Sequence, residues 1–282
     1  MLDAIKEECV DAEQAELSNR RRATRQLILD IIHSSGAAHI GSSFSVVEAL
    51  LAVYSGVDIE KIKNKQEDRD RVVVSKGHSA AAVYAVMHMF GLMDKKTLDT
   101  YYKNDSLLSG HVSHFVPFVE HSTGALGHGL SVAVGIAIGL KSKRHLAARV
   151  YAILGDGEMH EGSNWEALML AGHRGLNNLC ALIDNNRLGG VGSTDEICSL
   201  RDLDKMIASF GFAVYSVDGH NEESIRAILQ ETAGKTSKPV CIICHTTKGK
   251  GVSFMEKDTV WHYRNPNKEA YEKATAELGG ER

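Results

Sequence analysis

"GDGEMHEGSNWEALMLAGHRGLNNLCALIDNNRLGG", Gly155 to Gly190, opens with an aspartate between two glycines and closes on two adjacent asparagines. The residues before it, "ARVYAIL" (148–154), read as a short buried strand, apolar with β-branched and aromatic content. Gly155 and Gly157 let the backbone turn sharply there. Residues 159–175 carry helical character, with Trp165, Leu168, Met169 and Gly172 at i, i+3, i+4 and i+7 as the predicted inner face. "NLCALID" (178–184) is a second buried strand. The stretch is therefore a βαβ unit, and α/β proteins bind ligands at the carboxyl ends of parallel strands. Asp156 and Asn186 are expected on neighbouring strand ends, facing one crevice. An aspartate, an asparagine oxygen and a nearby carbonyl are hard oxygen ligands, suited to Mg²⁺ or Ca²⁺ with a phosphate filling the remaining positions. Taken alone, GDG is also a turn and NN a hairpin signal.

Working outward, strands keep alternating with helices. Residues 1–33 read as a helix with Leu17, Ile28, Ile31 and Ile32 as its apolar points, and 45–55 as another. "RVVVS" (71–75) is a strand, followed by an alanine-rich helix to about Phe90. A loop-rich region, 103–124, precedes the small-residue helix "LGHGLSVAVGIAIGLK". After the opening motif come "FAVYSV" as strand, 221–233 as helix and "PVCIICHT" as strand. The pattern predicts an α/β fold, a doubly wound, mainly parallel sheet flanked by helices. No linker or composition shift divides the chain, so residues 1–282 are expected to form one domain.

Composition narrows the function class. Of the 282 residues, 43% are hydrophobic and 24% charged, as in ordinary globular chains. A net charge of −4 gives no reason to expect nucleic acid. No apolar run is long enough to span a bilayer, and the acidic N-terminus is no signal peptide. Five cysteines without secretory features predict reduced thiols and a cytoplasmic protein. Cys241 and Cys244 form a CxxC inside a strand with no second pair, which favours packing over zinc or redox chemistry.

The GDG, the 27 residues at 158–184 and the NN that follows resemble the fingerprint of thiamine-diphosphate enzymes. The resemblance implies Asp156, Asn186 and the carbonyl of Leu188 as ligands of Mg²⁺, with Ca²⁺ or Mn²⁺ as substitutes. Four further segments resemble the N-terminal part of transketolase, in order. "SSGAAHIGSSFSVVEALLAVY" supplies His39, and "DRVVVSKGHSAAAVYAVMHMFG" supplies His78. "SGHVSHFVPFVEHSTGALGHGLSVAVGIAIG" supplies His111, Gly124 and Leu126. "CHTTKGKGVSFMEKDTVWHYRNP" supplies His262. The implied function is transfer of a two-carbon ketol unit from a ketose, or ketose phosphate, donor to an aldose acceptor. In that reading His39 and His262 are catalytic, and His39, His111 and His262 bind substrate. His78, Gly124, Leu126, Gly155, Gly157, Asn186 and His262 hold the cofactor. Imidazoles titrating near neutrality suit a reaction that donates to an alkoxide and accepts from a hydroxyl. The other histidines, His33, His88, His145, His160, His173, His220 and His245, are expected to be structural or superficial.

The sequence departs from the family pattern at Ile40 and Val112, where prolines are usual, at His128 for glutamine and at Arg187 for glycine. These departures are expected to gather in the substrate funnel. The family's activating glutamate belongs to a pyrimidine-binding domain that no segment here resembles. The chain thus looks like the N-terminal subunit of a split transketolase, with thiamine diphosphate held between it and a C-terminal subunit in an α2β2 assembly. The alternatives are a split enzyme for a modified ketose (a sulfosugar or branched sugar phosphate), a 2-oxo-acid dehydrogenase α subunit, and a silent structural homologue. The second shares the GDG…NN logic but not the histidine series; against the last stands the retention of Asp156, Asn186 and the four histidines.

Overall fold

The computed structural model describes residues 2–280, with side chains from residue 14 onward. Of the helix expected over 1–33, Met1 lies outside the described residues, and so does the side chain of Cys9. Five strands form one sheet: β1 (Arg71–Val74), β2 (Val150–Gly155), β3 (Leu179–Asn185), β4 (Ala213–Asp218) and β5 (Val240–His245). Every pairing is parallel and the spatial order is β1-β2-β3-β5-β4. Because side chains alternate across a strand, each central strand feeds two cores. Tyr151, Ile153, Cys180, Leu182, Ile242 and Cys244 face one; Val150, Ala152, Leu154, Ala181, Ile183, Cys241 and Ile243 face the other.

The helices divide accordingly. The first core takes its lids from α1 (Leu2–Ser35), α2 (Ile40–Ser45) and α3 (Val47–Gly56). The short α4 (Ile59–Lys63) then leads to β1. Beyond β1, α5 (Ala80–Met89) packs on that same core and α6 (Lys95–Leu98) follows it. The second core is covered by α7 (His128–Ser142) and α8 (Gly162–His173). After β3, α9 (Thr194–Cys198) and α10 (Leu203–Ser209) carry the chain to β4 at the sheet edge, α10 over the second core. It then turns back to β5 through α11 (Glu222–Thr232), which lies on the first core, while α12 (Lys268–Gly279) packs against α1. A reversal of direction sends the crossover to the opposite face, as right-handed connections require. Both faces are therefore covered, which is the doubly wound arrangement read from the sequence.

Two local readings need correction. The predicted helix over 159–175 is split into a 3₁₀ turn, Gly157–His160, and α8, which begins at Gly162. Its buried face is Asn164, Ala167, Leu168 and Ala171, so Met169 points outward with 57% of its surface exposed. The rotation follows from Asn164, whose side-chain amide donates to the Glu158 carbonyl at 2.7 Å, and from the small residues that let α8 approach α7. Likewise 45–55 is not one helix from its start: α2 ends at Ser45 and α3 begins at Val47. Cys241 and Cys244 face opposite cores, which excludes a shared metal or disulfide. No helix among the described residues is long and apolar enough to cross a membrane.

Candidate active site

The carboxyl ends of β1, β2, β3 and β5 open onto a cavity of about 390 Å³. Its floor is the GDG turn and the NN loop. Asp156 follows β2 and is buried; one carboxylate oxygen accepts the Gly157 N–H at 2.7 Å and the other accepts the Arg187 N–H. Asn186 follows β3, and its side-chain oxygen accepts the Leu188 N–H at 3.0 Å. Burial, and then the neighbouring Asp184 charge, push the Asp156 carboxyl up to about 6. Among the described residues no group of three or more His, Cys, Asp or Glu could hold a metal. The floor instead offers the Asp156 carboxylate, the Asn186 amide oxygen and the Leu188 carbonyl, from three residues that line the cavity.

Two lysines that stand in none of the expected roles sit beside these oxygens. Lys76, just beyond β1, is buried; its ammonium donates to the Ser42 carbonyl at 3.1 Å and pairs with Asp184. Lys248, three residues past β5, donates to the carbonyls of Leu188 and Gly189 at 3.1 and 2.8 Å. Burial, and then Lys76, lower its ammonium to about 8, with Asp156 and Asp184 opposing. Asp184 holds this corner together by accepting from Lys76, Ser45, Thr246 and the Asn186 amide. Buried lysines are rare without a partner or a task. The only mark they leave in the sequence is "SKGH" and "TTKGKG", where each lysine falls two or three residues past an apolar strand, and that mark names no partner.

Glu158 is a third residue without an expected role. It is buried, accepts from Ser75, from the Gly127 N–H at 2.9 Å and from the Gly155 N–H at 3.2 Å, and burial raises its carboxyl. It ties the GDG turn to the start of α7, and so fixes where Gly124 and Leu126 meet the cavity. Close approach explains a glycine here as well: a Cβ at Gly77 would lie 2.6 Å from the Thr123 carbonyl carbon.

The opposite wall is imidazole. The ring of His39 lies 5.6 Å from that of His78, 5.6 Å from His111 and 4.9 Å from His262, centre to centre, and His78 is 5.6 Å from His262. These four come from the start of α2, the turn after β1, the loop before α7 and the 3₁₀ turn Thr259–His262. His39 takes a left-handed backbone, φ 70°, and its N–H donates to the His262 carbonyl at 2.9 Å. Such a conformation in a non-glycine residue persists only where the surroundings impose it. Burial, followed by His111 and Lys248, lowers His39 to about 4; burial, followed by Lys248 and His39, lowers His262 to about 3. Burial drives His78 well down too, with Lys76 adding to it. The sequence led to an expectation of imidazoles titrating near neutrality; here burial holds His39, His78 and His262 neutral, each able to donate through one ring nitrogen and accept through the other.

His39, His78, His111, Gly124, Leu126, Gly155, Asp156, Gly157, Asn186, Leu188 and His262 all line this one cavity. Ser42, Lys76, Glu158, Lys248 and Tyr263 join them, as does His160, which was expected to be structural or superficial. The four departures fall elsewhere. Ile40 and Val112 are core residues, His128 is exposed, and Arg187 lines a neighbouring cleft with Asp195, Arg201 and Asp204. The expectation that they gather in the funnel is therefore corrected.

The profile described as "Transketolase, thiamine diphosphate binding domain" matches residues 18–279. The chain is 39% identical over 272 residues to a subunit of the apulose-4-phosphate transketolase of Phocaeicola vulgatus, covering 95% of each. It is 36% identical to the 6-deoxy-6-sulfo-D-fructose transketolase subunit SqwG of a Clostridium species, covering 94% of this chain and 97% of that one. Among solved structures, transketolase of Campylobacter jejuni superposes with a TM-score of 0.84 at 27% identity, over 93% of this chain. That of Leishmania mexicana superposes with 0.82 at 30%. The chain spans 42% and 41% of those two solved chains. The chain belongs to the transketolase family, as a thiamine-diphosphate-binding domain of the kind that forms the N-terminal subunit of split transketolases.

Proposed function

We propose that this chain holds the diphosphate of thiamine diphosphate through Mg²⁺, and that with a C-terminal subunit it transfers a two-carbon ketol unit from a ketose to an aldose. The observation that carries this reading is one cavity with Asp156, Asn186, Leu188, Lys76 and Lys248 on its floor and four imidazoles above. Three hard oxygen donors suit Mg²⁺, and only one of them is charged, so diphosphate oxygens would complete the shell. The raised Asp156 carboxyl fits a group whose ionised form is stabilised when a cation arrives. Lys76 and Lys248 add positive charge facing the same space. His78, Gly124, Leu126, Gly155, Gly157 and His262 would enclose the rest of the cofactor.

Bound thiamine diphosphate supplies the nucleophilic carbon and the electron sink for breaking the C2–C3 bond. This chain supplies position and hydrogen bonds. His39 and His262, neutral and desolvated, donate ring N–H groups toward a carbonyl oxygen that gains charge and accept from the hydroxyl that must lose its proton. His111, whose ring is 5.6 Å from that of His39, would meet the donor's remaining hydroxyls. Two full-length relatives are named for apulose-4-phosphate and 6-deoxy-6-sulfo-D-fructose, which favours a modified ketose with an anionic end as donor.

The relatives are named as subunits, which supports a partner; in this reading the partner carries the pyrimidine-domain glutamate in an α2β2 assembly. Met169 and Leu170 on α8, exposed, fit a surface that such a partner covers. The single sheet fits one domain over the chain. Free, unpaired Cys180, Cys198, Cys241 and Cys244 fit the reducing cytoplasm. The test is ketol transfer at saturating thiamine diphosphate and Mg²⁺. The chain alone should show none, and adding the partner should give activity that saturates near one to one. Turnover by the chain alone would refute the two-subunit reading; its absence from the reconstituted pair would refute the reaction.

A further inference from the structure

We propose that Tyr263 determines donor specificity in this site, forming with the bare backbone of Gly190 a wall that reads the sugar beyond its reacting carbons. The proposal rests on the transketolase reading and extends it. Tyr263 follows His262 directly, where the 3₁₀ turn Thr259–His262 ends and the Tyr263 N–H donates to the Val260 carbonyl at 3.2 Å. Its ring stands edge-on to His262, with centres 4.7 Å apart at 74°, and lies 6.5 Å from His39. The side chain lines the cavity and is nevertheless 63% exposed, so it sits at the mouth rather than in the floor.

Gly190 makes that placement available. A methyl group there would come within 2.6 Å of the Tyr263 hydroxyl and 3.3 Å of the His262 ring. With no side chain in the way, the phenol closes down over the NN loop and bridges the metal side of the cavity to the imidazole side. The same rim carries Val191, 84% exposed, and Ile197, 47% exposed. A floor of charges and carbonyls thus has a rim of apolar surface with one phenol hydroxyl at the mouth.

Position sets the division of labour in this proposal: Tyr263, at the mouth and beside His262, would meet the part of the donor beyond the atoms that His39 and His262 serve. A phenol there can donate to a phosphate or sulfonate oxygen, or accept from a sugar hydroxyl, while its ring limits branching and bulk. A site that hydrogen-bonds a substrate group discriminates against donors lacking it, because its own polar group is then left unpaired.

The test uses the two-subunit enzyme with Tyr263→Gly and Tyr263→Phe, and two donors. One is a ketose phosphate; the other is hydroxypyruvate, which carries the same ketol group with no sugar chain beyond it. Tyr263→Gly should lower kcat/KM for the ketose phosphate about tenfold or more. Hydroxypyruvate and thiamine-diphosphate affinity should stay unchanged. Tyr263→Phe should keep the size preference and lose only the hydrogen-bond share. Equal loss on both donors would make Tyr263 a support for His262, and loss on neither would make it a bystander; each overturns the proposal. Failure of the unaltered pair to use either donor would instead overturn the transketolase reading beneath it.

Discussion

Single side chains carry the sharpest expectations. Asp156→Ala removes the only charged oxygen donor among the three on the cavity floor. Mg²⁺-dependent binding of thiamine diphosphate should be lost while the circular dichroism spectrum stays that of the parent; calorimetric titration at fixed Mg²⁺ checks it, and undiminished affinity would sink the assignment. His39→Ala and His262→Ala should each lower ketol transfer by roughly two to four orders of magnitude, the range for a positioned acid or base. Cofactor affinity should move far less, and unaltered turnover in either variant would return that histidine to a packing role. Asp184 is a different case. It lies behind the cavity wall, but its loss would strand Lys76 as an uncompensated buried charge. Asp184→Ala should therefore destabilise the fold by about 3–5 kcal/mol, read by denaturant titration. GDG, NN and the histidines were legible because each stands in a short motif. Lys76, Lys248 and Asp184 were not, because their meaning depends on strand ends meeting from distant parts of the chain.

At the level of elements, period and propensity predicted the strands and most helices, and missed what neighbours impose. The tightest case is α8 against the loop before β4. A Cβ on Gly172 would fall 1.6 Å from the Phe210 carbonyl oxygen, so the two backbones touch. Gly172→Ala should cost about 1–3 kcal/mol, the range for overpacking, despite the better helix propensity of alanine. A midpoint of urea unfolding equal to the parent's would contradict this contact. The same helix turns Met169 and Leu170 outward, against the pattern expected from 165, 168, 169 and 172. Replacing both by lysine should leave the melting temperature of the isolated chain unchanged and abolish co-elution with the partner. Intact co-elution would place the partner on another surface. Spacing alone could not choose between two helix faces one residue apart; the buried Asn164 hydrogen bond does.

For the whole molecule, the burial of His39 and His262 has a cost that depends on pH. His39 at about 4 and His262 at about 3 lie below their ordinary 6.5. Above 6.5 neither state takes up these protons and stability is unaffected. As pH falls from 6.5 toward 4 and then 3, the unfolded chain binds protons that the folded one resists, so stability is lost across that window. Asp156, raised to about 6, works in the opposite sense, since the folded chain takes its proton first. Comparison with the His39→Gln/His262→Gln double variant isolates the histidine contribution. Between neutrality and pH 4.5, the parent should lose at least about 2–4 °C more in Tm than the variant. That is the response to about 1 kcal/mol, well below the full shift because both rings keep some contact with water. Parallel melting curves would show that burial does not depress these histidines.

The sequence by itself determined the parallel α/β sheet, the family, and the eleven residues that meet around the cavity, because strand period and short motifs are local properties of the chain. Tertiary structure alone decided three other things. It brought Lys76 and Lys248 beside the oxygen donors, since the ends of β1 and β5 meet only through the sheet order β1-β2-β3-β5-β4. It held His39, His78 and His262 neutral, since burial and like charges act through space and leave no mark on residue type. And it set the unusual positions Ile40, Val112, His128 and Arg187 outside the cavity while bringing Tyr263 to its mouth, a matter of where backbones lie and not of which residues look out of place.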